Sequence, residues 1–309
     1  MRLTAESKHF MQQQLKEALK PAEIVGGALV STLIWAGVYV CSCFSVRYND
    51  GSLATIGVLT CLLVCMFFAL VAVTRFRRRK PSRSFISSAV IVWICFGAGY
   101  VYGDRYWHSY MANYYTWADM GSYVNIDPDG DRGQSYMDAG VVYFKDGSYV
   151  LRDHTIAFRN GLTYCVAPIV RAPIEYQEGG KAPETVNGFV VPRSGTVDFW
   201  AVGTDCCGPS GNRFECGDVN SPVARSGMRM LDDTSRSMFL LGVQEWSATT
   251  GLPVRHPLFF RWTTDPIRYS DSLKSACSTQ FAIRLIICFF ASLIAHFLMH
   301  TLLQKFRIM

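Results

Sequence analysis

The sequence has little charge for its length and contains no short motif of a common enzyme class. Only 17% of its 309 residues are charged, whereas about a quarter is usual in soluble proteins. No G-x-S-x-G, P-loop, H-E-x-x-H or Rossmann glycine pattern occurs, and His108, His154 and His256 are scattered along the chain. A catalytic site is therefore not predicted by any local motif, although folding could still assemble one.

Usable N-glycosylation sequons are also missing, because Asn220 is followed by Ser-Pro. This absence disfavours a heavily glycosylated cell-surface protein. The chain has no internal repeat and no low-complexity tract, and nothing in it predicts a nucleic-acid partner.

What the sequence does contain is four long apolar runs, at residues 24–46, 53–73, 85–102 and 281–303. The first has no charged residue over 23 positions. As a helix it rises about 34 Å, more than the hydrocarbon core of about 30 Å, and it is too long for a signal-peptide core. We therefore predict an integral, multi-pass membrane protein with four transmembrane helices and the lipid bilayer as its first partner.

Basic residues predict the orientation of these helices, because short cytoplasmic loops retain Lys and Arg. Six of the ten residues 75–84 are basic, whereas the loop after the first run has only Arg47. This asymmetry predicts that both termini lie in the cytosol. The membrane is then either the plasma membrane or an internal organelle membrane. The predicted parts are a cytosolic amphipathic segment at 1–23, helices 1–3 at 24–103 with a basic loop at 74–84, an extracytoplasmic domain at 104–280, and helix 4 with a cytosolic tail at 281–309.

The extracytoplasmic domain between helices 3 and 4 is predicted to be rich in strands. Residues 140–150 read as a hairpin turning at Asp146–Gly147, and residues 154–170 as a second one turning at Asn160–Gly161. Further strands are expected within 188–203 and 257–265. The fold class is thus a membrane α+β protein.

Two helices are expected in or next to this domain. One extends the third membrane run and carries aromatic residues on one face, at Trp107, Tyr110, Tyr114 and Trp117. The other spans about 235–249, is capped by Thr234 or Ser235, and is closed by Gly251. Residues 177–187 and 208–225 read as loops.

Cysteines of the predicted outer domain form an even set of four, at Cys165, Cys206, Cys207 and Cys216, plus Cys277 before the last helix. In an oxidising compartment such a set predicts two disulfides. A bridge between adjacent cysteines is strained, so Cys165 is expected to pair with Cys206 or Cys207, and Cys216 with the other. Zinc is disfavoured by this spacing. Cys277 either pairs with Cys41 or Cys43, stays free, or links protomers of a homo-oligomer.

A calcium loop is a second candidate site. Asp127, Asp129, Asp131, Ser135 and Asp138 stand at positions 1, 3, 5, 9 and 12 of "DPDGDRGQSYMD", where oxygen ligands suit Ca²⁺. Arg132 replaces the usual glycine and helical flanks are missing, so an acidic surface turn is the alternative. No other cofactor is predicted.

The fourth apolar run contributes an intramembrane polar site of Arg284, His296 and His300. Ionisable residues within the membrane mark functional sites by default. His296 and His300 share one helical face, where they could bind a metal or relay protons, or His296 could simply hydrogen-bond a neighbouring helix. Arg284 is expected to extend to the outer interface.

Two resemblances follow from these elements. The elements "YCVAPIV" (164–170), "FWAVGTDCCG" (199–208) and "FFRWTTDP" (259–266) resemble uncharacterised polytopic membrane proteins of dinoflagellate-like protists, which implies a lineage-specific extracytoplasmic fold. Four helices with "CCG" (206–208) in a large second loop resemble tetraspanins. That likeness implies a partner-binding loop braced by Cys206 and Cys207 through later cysteines. The chain departs from tetraspanins in its strand-rich loop and its late CCG.

The function expected from the sequence is that of a membrane organiser or accessory subunit. Its extracytoplasmic domain would bind other membrane or extracytoplasmic proteins. A transporter or channel subunit using the polar residues of helix 4 is the main alternative, and an extracytoplasmic enzyme is the second.

Overall fold

The computed structural model describes residues 21–78, 83–171, 185–186, 189–208 and 213–305. The chain divides into two compact units, one of residues 1–112 and 273–309 and one of residues 113–272. The predicted amphipathic segment at 1–23 lies outside the described residues except for its last three positions, and so does part of the basic loop at 74–84.

The first unit is helical. Its elements are α1 (Pro21–Cys43), α2 (Ser45–Asn49), α3 (Gly51–Arg77), α4 (Arg83–Tyr106), a π-helical turn (Trp107–Met111) and α7 (Pro266–Lys305) from residue 273 onward. Helix α5 (Ala112–Asp119), from residue 113 onward, and the first seven residues of α7 belong to the second unit. Four helices are long and apolar enough to cross a membrane, at Pro21–Cys43, Gly51–Arg77, Phe85–Asp119 and Pro266–Leu302. The four apolar runs therefore form four candidate spans, as predicted, which fits a multi-pass membrane protein.

Helices α1 and α4 approach each other through two glycines of α4. A Cβ atom at Gly99 would lie 2.8 Å from the carbonyl oxygen of Trp35, and one at Gly103 would lie 2.8 Å from Cβ of Ser42. Glycines four residues apart allow such an approach between membrane helices.

The aromatic face predicted after helix 3 is interrupted. The π-helical turn at Trp107–Met111 adds a residue to the local turn, so Trp107 and Tyr110 are not in simple helical register with Trp117. Trp117 instead donates a hydrogen bond from Nε1 to the carbonyl of Arg229, at 2.9 Å, and packs against Tyr269.

The second unit is built on an eight-stranded mixed sheet. Its strand order is β1-β2-β9-β10-β8-β5-β3, with β4 also paired to β5, and β6 and β7 form a separate small hairpin. The strands are β1 (Gly121–Ile126), β2 (Ala139–Phe144), β3 (Ser148–Val150), β4 (Ile156–Asn160), β5 (Leu162–Arg171), β6 (Thr185–Val186), β7 (Phe189–Val190), β8 (Phe199–Thr204), β9 (Ser226–Arg229) and β10 (Leu258–Thr263).

One of the two predicted hairpins is confirmed, and the prediction of the other is wrong. Strands β4 and β5 pair through the turn at Gly161, where φ is 73°. Strands β2 and β3 both form around Gly147, but they do not pair with each other, since β2 pairs with β1 and β9 and β3 pairs with β5. Strand β9 begins just after residues 208–225, which the sequence predicts to be a loop.

Both faces of the sheet are buried, which explains its apolar strands. One face packs against α6 (Asp233–Thr250) through Trp200, Phe239 and Trp246, and the other holds Phe144, Phe199 and Phe260. The cap of α6 is Asp232 and not Thr234 or Ser235, because its carboxylate accepts from the amides of both of those residues. Gly251 ends the helix in the left-handed conformation, as predicted.

Candidate functional site

The four cysteines of the sheet unit lie together beside the sheet. Cys165 and Cys207 form one pair at disulfide distance, with Cα atoms 5.8 Å apart, and Cys206 and Cys216 form the other, at 5.0 Å. This is one of the two pairings that the sequence left open. The two pairs join β5 and the chain after β8 to the segment around Cys216, and three of the sulfurs lie within 4.8 Å of one another.

Gly203 on β8 makes room for this sulfur cluster. A Cβ atom there would lie 2.6 Å from the Sγ atoms of both Cys206 and Cys216. Sulfurs held in disulfides are not thiolate ligands, and a thiolate is what zinc binds. The cluster therefore serves as a covalent brace of the sheet.

The acidic segment after β1 is a centre of ion pairs. The Asp127 carboxylate is almost fully buried and lies 3.4 Å from Nζ of Lys145, 3.0 Å from Nη1 of Arg171 and 2.9 Å from Nη2 of Arg193. Burial opposes its ionisation, but the hydrogen bond from the Asp129 amide and the charges of Lys145 and Arg171 hold the pKa of Asp127 below its usual value.

These contacts do not fit a bound Ca²⁺. Asp129 pairs with Arg193, and the Asp131 carboxylate accepts from the Asp127 amide and from the Tyr136 hydroxyl. Cations from three chain segments already neutralise the site, so little negative charge is left to attract a divalent ion. Ser135 lies in a 3₁₀ turn, and Asp138 accepts from the Tyr123 hydroxyl at 2.9 Å. The calcium site stays a prediction that these charges disfavour.

A surface cleft of about 180 Å³ lies next to this ion-pair centre. Its wall includes the short strand β3, which is the last strand of the sheet order. Tyr149 and Val190 at the cleft are 42% and 38% exposed. Its other lining residues include the apolar Leu151, Ile169, Val170, Phe189, Pro192 and Val197 and the polar Asp129, His154 and Arg171.

His296 is buried in the helical unit and has both ring nitrogens occupied. Nδ1 lies 3.0 Å from the carbonyl oxygen of Ser292, and Nε2 lies 3.4 Å from Oγ of Ser88. These distances suit a neutral imidazole that donates to the carbonyl and accepts from the hydroxyl. His300 is half-buried one turn further on. His296 on α7 thus makes a contact with Ser88 on α4, which is the hydrogen bond to a neighbouring helix that the sequence offered as one alternative.

Arg284 has a different environment. Its guanidinium lies over the rings of Tyr102 and Tyr106, at 4.4 and 5.1 Å from their centroids, and Nη2 donates to the Tyr106 hydroxyl at 2.9 Å. Its Nε is buried and has no hydrogen-bond partner among the described residues.

Arg284 also lines a cleft between α1, α4 and α7 with a volume of about 300 Å³. Ile94 and Ile287 at this cleft are 64% and 59% exposed, so it opens on the outer surface of the helical unit. The remaining lining residues are small or apolar for the most part: Trp35, Ile91, Cys95, Ala98, Tyr102, Cys288, Ala291, Ser292 and Ala295.

Cys277 lies beside Cys43, with their Sγ atoms 3.4 Å apart. Cys41 points elsewhere, since its Sγ would contact a Cβ atom placed at Gly57 on α3. Both Cys43 and Cys277 are buried. The structure thus brings together one of the two pairs that the sequence proposed for Cys277.

Sequence reasoning missed two structural features. The pattern Gly99-x-x-x-Gly103 was a readable signal for helix packing. Buried Asp198, which accepts from the amides of Gly133, Arg255 and His256, had no such signal, because its partners are distant in the chain.

Comparisons with known proteins add no relative to this picture. No family model matches the chain, and neither a curated protein nor a solved structure is significantly similar to it. The function therefore has to be inferred from the geometry of these sites.

Proposed function

We propose that this membrane protein is an organiser or accessory subunit that binds partner proteins through its sheet unit on the extracytoplasmic side. The observation that carries the proposal is the cleft beside β3. It combines an apolar lining, exposed Tyr149 and Val190, and a strand at the end of the sheet order. Such strands accept an extended segment of a partner, and neighbouring pockets select its side chains.

The rest of the sheet unit supports a binding role. The two cysteine pairs and the ion pairs of Asp127 hold the sheet and its loops in one arrangement. A surface that is already ordered loses less conformational entropy when a partner binds. The small cleft, with its mixed apolar and charged lining, suits a partner segment with apolar side chains flanked by charge.

The extracytoplasmic location rests on two sequence features and on the cysteine pairs. Disulfides persist in oxidising compartments, and the basic residues 75–84 favour the cytosol. A pair of cysteine probes tests it, Ser82→Cys and Val223→Cys, in a background without the seven free cysteines. An impermeant thiol reagent applied to intact membranes should label position 223 only. Labelling at position 82 alone would invert the topology.

Site-directed crosslinking tests the binding role. A photoreactive amino acid at position 149 should give discrete crosslinked products in native membranes, and Val190→Glu should reduce them by placing a charge in the apolar cleft. The matched control is Val124→Glu, an exposed apolar residue of β1 at the opposite end of the sheet order, which should leave the products unchanged. Equal loss with both variants, or no products at position 149, would contradict the proposal.

A further inference from the structure

We propose that the cleft between α1, α4 and α7 binds an anionic glycerophospholipid, with its phosphate at Arg284 and one acyl chain along the cleft. This lipid site lies in the helical unit and is independent of the proposed partner binding. Three features support it: the charge of Arg284, the length and lining of the cleft, and the polar groups at one end of it.

The charge of Arg284 calls for an anion. Among the described residues, its guanidinium contacts the rings of Tyr102 and Tyr106 and the Tyr106 hydroxyl, and it forms no ion pair with a carboxylate. The faces of Tyr102 and Tyr106 stabilise the cation and orient it. A lipid phosphate would supply the counter-charge that this cation lacks.

The shape of the cleft fits an acyl chain. Its lining on α7 runs from Arg284 to Ala295, which spans about 17 Å along a helix. That is about half of the 30 Å hydrocarbon core, and so about the depth of one leaflet. The small side chains of Ala98, Ala291 and Ala295 form the depression.

The polar groups are gathered at the Arg284 end. The Tyr106 hydroxyl lies 3.4 Å from Oε1 of Gln280, and Arg47 pairs with Asp104 at 2.8 Å. Tyrosines and charged residues mark the interfacial ends of membrane helices. We therefore place Arg284 near the depth of the lipid phosphates, where an arginine can bind a headgroup phosphate through charge-assisted hydrogen bonds.

Tryptophan quenching in nanodiscs tests the proposal, because Trp35 lines the cleft. The probes are acyl-brominated phosphatidylglycerol and acyl-brominated phosphatidylcholine at equal mole fractions. The wild-type protein should be quenched more strongly by the anionic lipid, and subtracting the signal of Trp35→Phe isolates the residue at the cleft. Arg284→Gln should lower the apparent affinity for the anionic lipid about fivefold, as expected for one lost cation at a membrane surface.

Three variants make the result specific. Arg75→Gln removes another membrane-end cation, one that lies over Phe85, and should keep the lipid preference. Arg284→Lys should keep part of it, and Ala291→Phe should reduce quenching by both lipids because it fills the cleft. Equal quenching by the two lipids in the wild type would overturn the proposal. So would a preference that survives Arg284→Gln, or one that is lost equally in Arg75→Gln.

Discussion

The Sγ atoms of Cys43 and Cys277 lie 3.4 Å apart in a buried contact between the end of α1 and α7. Small rotations of the two side chains would bring these sulfurs to bonding distance. Tyr39 lies one turn before Cys43 and Phe281 one turn after Cys277, and their ring centroids are 5.1 Å apart. Oxidation would fix α7 to α1 at this level.

We expect a disulfide between Cys43 and Cys277 in protein isolated with thiols blocked. Such a bridge closes a loop of more than 200 residues, and its loss should destabilise the helical unit by about 2–5 kcal/mol. Peptide mapping without reduction should join residue 277 to residue 43. Cys41→Ser is the matched control and should change neither the map nor the stability. A dimer that disappears in Cys277→Ser would instead make this cysteine a contact between protomers.

The cysteine pairs of the sheet unit predict how double substitutions behave. Cys206→Ser with Cys216→Ser, or Cys165→Ser with Cys207→Ser, removes one bridge and leaves no free thiol in the sheet unit. Each should cost about 2–5 kcal/mol of unfolding free energy. Cys165→Ser with Cys206→Ser breaks both bridges and leaves Cys207 and Cys216 as thiols. Thiol counting on the unfolded proteins distinguishes these cases. If the last variant loses only one bridge, Cys165 pairs with Cys206 and Cys207 pairs with Cys216 instead.

The ion pairs of Asp127 predict an effect on stability at neutral pH. Asp127→Asn removes a buried charge that faces three cations, so it should cost about 1–3 kcal/mol of unfolding free energy. The matched control is Asp146→Asn. Asp146 is 88% exposed and pairs with Arg225 on the surface, so its loss should cost less than about 1 kcal/mol. Thermal or denaturant unfolding of the two variants measures the difference.

The same carboxylate predicts the response to acid and to calcium. Because the pKa of Asp127 is lowered in the folded protein, its contribution is present above the unfolded pKa of about 4 and is lost as pH falls through the folded value. Wild-type protein should therefore lose more stability than Asp127→Asn between neutral pH and acid.

Millimolar Ca²⁺ should leave the wild-type melting temperature unchanged, and a clear rise in that temperature would restore the calcium site.

Local sequence signals predicted the elements of this fold better than their partners. The turn at Asn160–Gly161 specified a hairpin because β4 and β5 are adjacent in both chain and sheet. The Asp146–Gly147 turn has the same chemistry, but β2 is held by β9 and β3 by β5. Strand β9 is four residues long and contains a glycine, so no alternating pattern revealed it.

The sites show the same limit. Spacing within one segment suggested calcium ligands, but the partners of Asp127 come from 18, 44 and 66 residues further along the chain. The intramembrane residue Arg284 was visible as a charge in an apolar run. Its tyrosine partners and the cleft beside it depend on how α4 and α7 pack, which no periodicity encodes.

Helix packing at Gly99 gives a sharp test of the helical unit. Gly99→Ala would place a methyl group 2.8 Å from the Trp35 carbonyl oxygen, a backbone atom that cannot rotate away. Separating α1 from α4 should cost about 1–3 kcal/mol and should also widen the cleft that Trp35 lines. Gly97→Ala is the matched control, since among the described residues nothing beyond its own stretch of helix lies within 4 Å of a Cβ atom there. In detergent, the unfolding free energy of Gly97→Ala should be near that of the wild type, and that of Gly99→Ala should be well below it. Equal unfolding free energies would mean that α1 and α4 do not pack through Gly99.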